Sequence, residues 1–286
     1  EGRNTSSPTS EANRMWANRV YMHRVRDMVS STVSGAFQQT YLLAMELLGV
    51  TANITAYRFM YEHCRLTTID VKAHPIKSFL FLMLATDLGY YWFHRTLHEF
   101  HTLWAAHCVH HSGEDYNLAT GLRQGALQPL FGAPFYCWIA ILGFPPQAWV
   151  GHSQLNTMVM FWIHTDVIGR LPCGLEYIFN SAMAHRMHHR PPGNCNYAGL
   201  LIIWDRIFGT YTPELVRKDL YGLANQPASF DPVDLNLHHW KAMASINRPW
   251  LSKLFARRIR WRWHFRPAAV FDPIPTWNRD ERGQGP

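Results

Sequence analysis

The longest apolar run in the chain extends from Gln124 to Thr165, 42 residues without an Asp, Glu, Lys or Arg. Gly143-Phe-Pro-Pro146 interrupts it near the middle. A spanning helix needs about 20 apolar residues, so the run predicts two membrane-embedded helices turning at Pro145-Pro146, or a re-entrant hairpin. Upstream, Pro75 suits the first position of a helix reaching to about 105, and its stretch Ser78 to Phe93 carries one charge, Asp87. Residues 36–62 are apolar but broken by Glu46 and Arg58, a pattern for a buried or membrane-embedded helix. Residues 1–13 are polar and read as a disordered lead. Residues 14–35 set Arg14, Arg19, Arg24 and Arg26 among Met15, Trp16, Val20, Val25 and Met28. That pattern fits a basic amphipathic segment at a headgroup boundary, and equally an ordinary surface helix. Past 165, a Pro/Cys/Gly turn at 169–174 leads to a helix from about Leu175 that ends at Pro191-Pro-Gly-Asn. A short apolar element follows over 196–210, and from 211 the chain is polar and proline-punctuated. The reading is an all-α integral membrane helical bundle. It has a lead and amphipathic segment over 1–35, a membrane-embedded domain over 36–210 and a C-terminal cytosolic segment over 211–286.

Composition sharpens this. Charged residues make up 16% of the chain, against about 25% in ordinary globular domains. The net charge is +7, with 12 Trp. A basic chain can meet nucleic acid or anionic lipid headgroups. So much tryptophan beside so little charge favours the membrane surface and argues against nucleic acid. The C-terminal run Lys253, Arg257, Arg258, Arg260 and Arg262, interleaved with Trp261, Trp263 and Phe265, reads the same way. Five cysteines without CxxC pairing give no disulfide framework; Cys108, inside a histidine cluster, reads as a small buried hydrophobe. There is no Walker-type glycine loop, no GxSxG elbow and no HExxH, which removes three enzyme classes.

The chemistry lies in the histidines, 17 of them. His94 and His98 form HxxxH; His107, His110 and His111 form HxxHH; His185, His188 and His189 form a second HxxHH. Residues three or four apart share a helix face, so each cluster can aim its imidazoles at one point. Eight histidines exceed what one tetrahedral zinc uses, which argues for two metal ions. His164, at the end of the charge-free run, is a functional candidate because a polar imidazole so deep in apolar sequence is costly; His152, nearer the turn, weighs less. Asp87 precedes His94 by seven residues, two turns along one helix face. It is placed to hold the free N–H of a ligating imidazole, or to pair with Arg95 or Lys77. His238-His239 has no third partner at ligand spacing and reads as structural. Imidazole suits iron, zinc and copper. Iron is the natural choice for oxygen chemistry, and a di-iron centre with neutral ligands would stay highly charged and strongly oxidising.

The HxxxH, HxxHH, HxxHH series is followed by Asn196-Tyr-Ala and Trp204-Asp-Arg-Ile-Phe-Gly-Thr210. Together they resemble the fatty acid hydroxylase/sterol desaturase superfamily of integral membrane di-iron enzymes. Asp87-Leu-Gly-Tyr-Tyr-Trp-Phe-His-Arg, Glu114-Asp-Tyr-Asn117 and Phe161-Trp-Ile-His-Thr-Asp166 narrow the resemblance to its glyceryl-ether-cleaving branch. The resemblance implies a multi-pass protein of the endoplasmic reticulum membrane with its site facing the cytosol. It implies hydroxylation of the carbon beside an ether oxygen, using O2 and tetrahydrobiopterin, and collapse of the hemiacetal to a fatty aldehyde and glycerol. It also implies His94, His98, His107, His110, His111, His164, His185, His188 and His189 as metal ligands, and Glu99 as a functional carboxylate with Asp87. One departure stands out: the third motif usually reads HHxxHH, and Ala184 occupies the place of its first histidine. One metal is therefore expected to be held weakly. The alternatives are a sterol or fatty-acyl hydroxylase or desaturase fed by cytochrome b5, and an inactive lipid-binding protein.

Overall fold

A proline at one end and an extended phenylalanine at the other delimit the helix that carries His94 and His98. In the computed structural model, which describes residues 8–48, 52–191, 193–213, 221–245 and 258, this helix is Pro75–Glu99, with Pro75 in its first turn. In chain order the α-helices are α1 Pro8–Leu47, α2 Ala52–Cys64, α3 Pro75–Glu99, α4 His101–His111, α5 Ala133–Ile141, α6 Pro146–Trp162, α7 Ala182–His189, α8 Ile203–Ile207 and α9 Pro232–Ser245. Short 3-10 turns lie at Leu118–Leu122, Gln128–Phe131 and Pro172–Tyr177. The described residues are therefore all-helical.

The single helix expected from 75 to about 105 is two. Phe100 adopts φ −112°, ψ 136°, an extended conformation that ends α3 and starts α4. In one continuous helix His94 and His107 would lie about 20 Å apart along the axis. The break folds α4 back so that these rings touch.

Two packed cores flank the histidines. Tyr57, Leu82, Ala85, Ile139, Ala140, Phe144 and Trp149 join α2, α3, α5 and α6, with Tyr57 and Trp149 stacked at 4.4 Å. Gly89 lets α3 cross α5 closely: a Cβ there would lie 2.7 Å from the Phe135 carbonyl oxygen. Tyr91, Ala184, Tyr197, Ala198 and Ile202 form the second core, beside the site.

The charge-free run does turn where expected, between α5 and α6. Gly143 makes the turn at φ +97°, its backbone so close to Thr67 that a Cβ would lie 2.2 Å from that carbonyl oxygen. The two helices are shorter than the expectation. α5 has 9 residues, about 14 Å, well short of a hydrocarbon core of about 30 Å. No helix among the described residues is long and apolar enough to cross a membrane. The helix expected from Leu175 starts only at Ala182, where Ser181 accepts from the Ala184 amide as N-cap.

α1 buries a polar face: Asp27, Ser30, Ser31, Ser34 and Gln38 point inward. Met22, Val29, Val33 and Leu43 are exposed. The basic aromatic C-terminal run lies outside the described residues except for Arg258.

Candidate metal centre

Nine imidazoles meet between α3, α4, α7 and the end of α6. They fall into two groups, His94, His98, His107, His111 and His188 in one, and His110, His164, His185 and His189 in the other. Within each group the ligand-type nitrogens lie within 4.8 Å of one another, and all nine side chains are buried. Every histidine expected as a ligand is thus in one group or the other. His152 lies apart, against Phe79 at 4.8 Å. His239 pairs with His101 at 3.2 Å outside both groups.

The ring nitrogens turned away from the centre fix the chemistry of those turned toward it. His94 Nδ1–H donates to the Tyr197 carbonyl at 2.8 Å. His107 Nδ1–H donates to Gln128 Oε1 at 2.8 Å, His110 Nδ1–H to the Arg123 carbonyl at 2.9 Å and His188 Nδ1–H to the Cys195 carbonyl at 2.8 Å. His164 Nδ1–H donates to the Met160 carbonyl. Carbonyl and amide oxygens only accept, so each of these rings carries its proton on Nδ1 and a lone pair on Nε2. Those lone pairs face one another: His94 and His107 Nε2 are 3.1 Å apart, and His164 and His110 Nε2 are 3.2 Å apart. His185 Nε2 is 3.0 Å from His164 Nε2.

Lone pairs at such distances repel unless a cation lies between them. Two nitrogens bound at about 2.0–2.1 Å to one metal at right angles sit about 3.0 Å apart, which is the spacing found. Both nitrogens of His98 and Nε2 of His188 are buried without a hydrogen-bond partner, as atoms awaiting a metal would be. The residues therefore fit two metal ions. Burial keeps the ligands neutral: it pushes His94 down to about 3 and His110 to about 4. His98, His107, His111, His164, His185, His188 and His189 are pushed well below the ordinary imidazole range for the same reason, reinforced by neighbouring histidines.

The two carboxylates expected at the site are placed otherwise. Asp87 touches neither an imidazole N–H nor Arg95 or Lys77. Its Oδ1 accepts from Leu200 N at 2.7 Å, and its Oδ2 from Leu201 N at 2.8 Å and Trp204 Nε1 at 3.1 Å. Seven residues along α3 bring it to the right face, but the loop before α8 reaches it first. Burial pushes its carboxyl up to about 7, against the pull of those hydrogen bonds. Glu99 is held by Arg95 at 2.9 Å, both side chains nearly fully buried, and belongs to neither group of potential ligands.

Ala184 sits in the second core. It packs with Tyr91, Tyr197, Ala198 and Ile202 in the core beside the site, one turn before His188 on α7, and the two groups have five and four imidazoles without it. Cys108 is a buried thiol whose Sγ contacts the Ala105 carbonyl at 3.7 Å, as its hydrophobic reading implies.

Sequence reasoning missed the holders of the ligands. Asp205 accepts from Tyr197 N and Ala198 N, both at 2.8 Å, and from Thr210 Oγ1 at 2.6 Å. Asn196, at φ +52°, donates to the Ala184 and Thr212 carbonyls at 2.9 and 2.8 Å. Together with Asp87 they pin residues 195–201, whose carbonyls orient His94 and His188. Arg123 does the same for the other group: its carbonyl orients His110, while its buried guanidinium grips Asp27 Oδ1 at 2.6 Å. In the sequence Asn196 and Asp205 stand out only as members of the runs Asn196-Tyr-Ala and Trp204-Asp-Arg, and nothing local marks Asp27 or Arg123, which are 96 residues apart.

Comparison with known proteins places the geometry in context. A family model described as fatty acid hydroxylase matches residues 79–210. An alkylglycerol monooxygenase of Xenopus tropicalis is 39% identical over 247 residues, 85% of this chain and 53% of that protein. The alkylglycerol monooxygenase of Homo sapiens is 42% identical over 189 residues, 65% of this chain and 41% of its own length. A probable Delta(7)-sterol 5(6)-desaturase of Neurospora crassa is 27% identical over 168 residues, 57% of this chain and 45% of that protein. The chain spans about half the length of the curated relatives it matches. No solved structure matches it.

Proposed function

Since residues 79–210 belong to the fatty acid hydroxylase family, a family of oxidoreductases, we propose that this chain is a lipid monooxygenase that cleaves the ether bond of alkylglycerols. The observation that carries the reading is the pair of adjacent imidazole groups with lone pairs turned inward. Identity near 40% to alkylglycerol monooxygenases supports the substrate class. Two iron ions, one in each group, would supply O2 activation for hydroxylating the carbon next to the ether oxygen, with tetrahydrobiopterin as reductant.

The chain's own contribution is positional. Five Nδ1–H donations fix the tautomers, so the Nε2 lone pairs need no reorganisation to bind. Burial excludes bulk water from the centre. The hydroxylated carbon of the product is a hemiacetal, which separates into aldehyde and glycerol without further help from the site. Association with the endoplasmic reticulum membrane, the site facing the cytosol, belongs to the same proposal. It is supported by the exposed apolar side chains Ile76, Phe79, Leu80, Phe81 and Leu84 of α3.

The test is iron per chain in detergent-purified protein together with single turnover of a glyceryl ether. Two irons and pterin-dependent aldehyde release are expected. One zinc and no iron would overturn the metal assignment. The sterol desaturase relative favours one second reading, a sterol or fatty-acyl oxidation fed by cytochrome b5; activity on a free sterol with that donor and none with pterin would select it.

A further inference from the structure

Among the described residues, the metal centre commits its own acids and bases. All nine imidazoles present a nitrogen to one metal group or the other, and five of them give their Nδ1–H to fixed oxygens. Glu99 is gripped by Arg95, and Asp87 accepts three N–H groups away from the imidazoles. Hydroxylation by O2 nevertheless moves protons. One oxygen atom enters the C–H bond, and the other takes up two electrons from the reductant and two protons to leave as water.

A cavity of about 440 Å³ is the polar approach to the centre. It touches His111 from the five-histidine group and His189 from the other, and it has room for a chain of waters. Its wall carries Arg190 and Arg258, too basic to give up a proton. It also carries two histidines outside the metal groups, His238 and His239, neighbours on α9. His238 Nε2–H donates to the Asn225 carbonyl at 2.9 Å.

His239 is joined to a second base. Its Nε2 lies 3.2 Å from Nδ1 of His101, the first residue of α4. The ring centres are 5.5 Å apart and the ring planes 9° from parallel. Nitrogens 3.2 Å apart between centres 5.5 Å apart must lie on the line joining the centres, so the rings meet edge to edge in one plane. That is the geometry of an N–H···N hydrogen bond. His101 is half-exposed and is not part of the cavity wall, so the pair runs through the wall from the cavity to the outer surface. Neither outer nitrogen, His101 Nε2 nor His239 Nδ1, is buried without a partner, so each end can exchange protons with water. Burial, His101 and Arg258 push His239 down to about 4, and burial and Arg258 also lower His101. At neutral pH both rings are therefore neutral and share one proton between the facing nitrogens.

We propose that His101 and His239 form a proton relay between outer water and the cavity beside the metal centre. The proposal rests on the monooxygenase reading above. His101 Nε2 takes a proton from water, its Nδ1–H passes to His239 Nε2, and the Nδ1–H of His239 is released to the waters of the cavity. One proton enters as one leaves, so the pair gains no charge, and two passages supply one molecule of water. The route crosses the wall, so it stays open when a substrate headgroup fills the mouth beside exposed Asn225 and Ala242.

The test uses the full chain loaded with iron. Glutamine at 239 keeps a hydrogen bond to His101 but passes no proton. His239→Gln should therefore lower kcat for a glyceryl ether by about tenfold or more, as losing an acid–base group does, with KM and iron per chain at the parent values. His239→Ala leaves a space that free imidazole fits, and added imidazole should raise its kcat relative to the parent in the same buffer. A packing role for His239 gives no such rescue. Nitrogen NMR on the zinc-loaded chain, labelled at histidine, should show one N–H proton coupled to two ring nitrogens and lost in His101→Gln. That variant changes a half-exposed position and stands if the His239 variants fail to fold; its kcat should fall as in His239→Gln. Full kcat in the folded glutamine variants, a loss that imidazole does not restore, or no shared N–H in the parent would overturn the relay while leaving ether cleavage standing. A parent that turns over no glyceryl ether would overturn the monooxygenase reading and this role with it.

Discussion

At the scale of single residues, the acceptors behind the imidazoles carry as much of the site as the imidazoles. Four of the five Nδ1–H acceptors are backbone carbonyls, which no substitution removes; the exception is Gln128 Oε1 on His107. Gln128→Leu should therefore weaken metal binding in the five-histidine group by about 10–100-fold, the usual effect of losing a ligand's outer partner. A two-step Co(II) titration checks it, and a loss shared equally by both steps would show the role of Gln128 to be general. Ala184 gives the opposite expectation. A histidine there enters a packed aromatic core, so Ala184→His should cost about 1–3 kcal/mol of stability by overpacking and add no metal. Chemical denaturation with metal analysis decides, and a gain in iron would place residue 184 in the ligand set after all.

At the scale of elements, the clusters were legible because i,i+3 and i,i+4 spacing is a property of one helix. What joins them was not. Phe100 ends α3 without a proline or glycine to announce it, and its extended backbone is what turns α4 back. Asp87 was correctly placed on the histidine face of α3, yet its partners are backbone amides 113 and 114 residues away, which no local pattern encodes. His164 could be singled out because one polar residue stood out in an apolar run; Gln128, in the same run, looked like any other neutral residue. The polar inner face of α1 follows from a tertiary contact, Asp27 with Arg123. Each metal group thus has a remote buried carboxylate behind it, Asp205 for one and Asp27 for the other. Asp205→Asn should lower affinity in the five-histidine group and spare the other. Asp27→Ala should do the reverse, and should also destabilise the protein by about 3–5 kcal/mol because Arg123 is left buried and unpaired. If both variants lost the same metal step, the two supports would not be separate.

At the scale of the whole molecule, nine neutral imidazoles in one buried space make the metal-free protein sensitive to acid. In the unfolded chain each titrates near 6.5. In the folded protein His94 is held down at about 3 and His110 at about 4, the other seven also below the ordinary range. Below about pH 6.5 the unfolded state then binds more protons than the folded one, so acidification favours unfolding. The stability these groups contribute is fully present above about 6.5 and is lost as pH falls from there toward the folded values. Each imidazole adds a slope of about 1.4 kcal/mol per pH unit within that window, and several acting together should collapse the apo protein within a narrow range. A bound metal occupies the same lone pairs, so a proton must displace it before it can act. Circular dichroism followed from pH 7.5 to 4 should therefore show an unfolding midpoint that moves to lower pH when metal is restored after chelation. Coincident midpoints with and without metal would mean that the nine lone pairs do not share a cation.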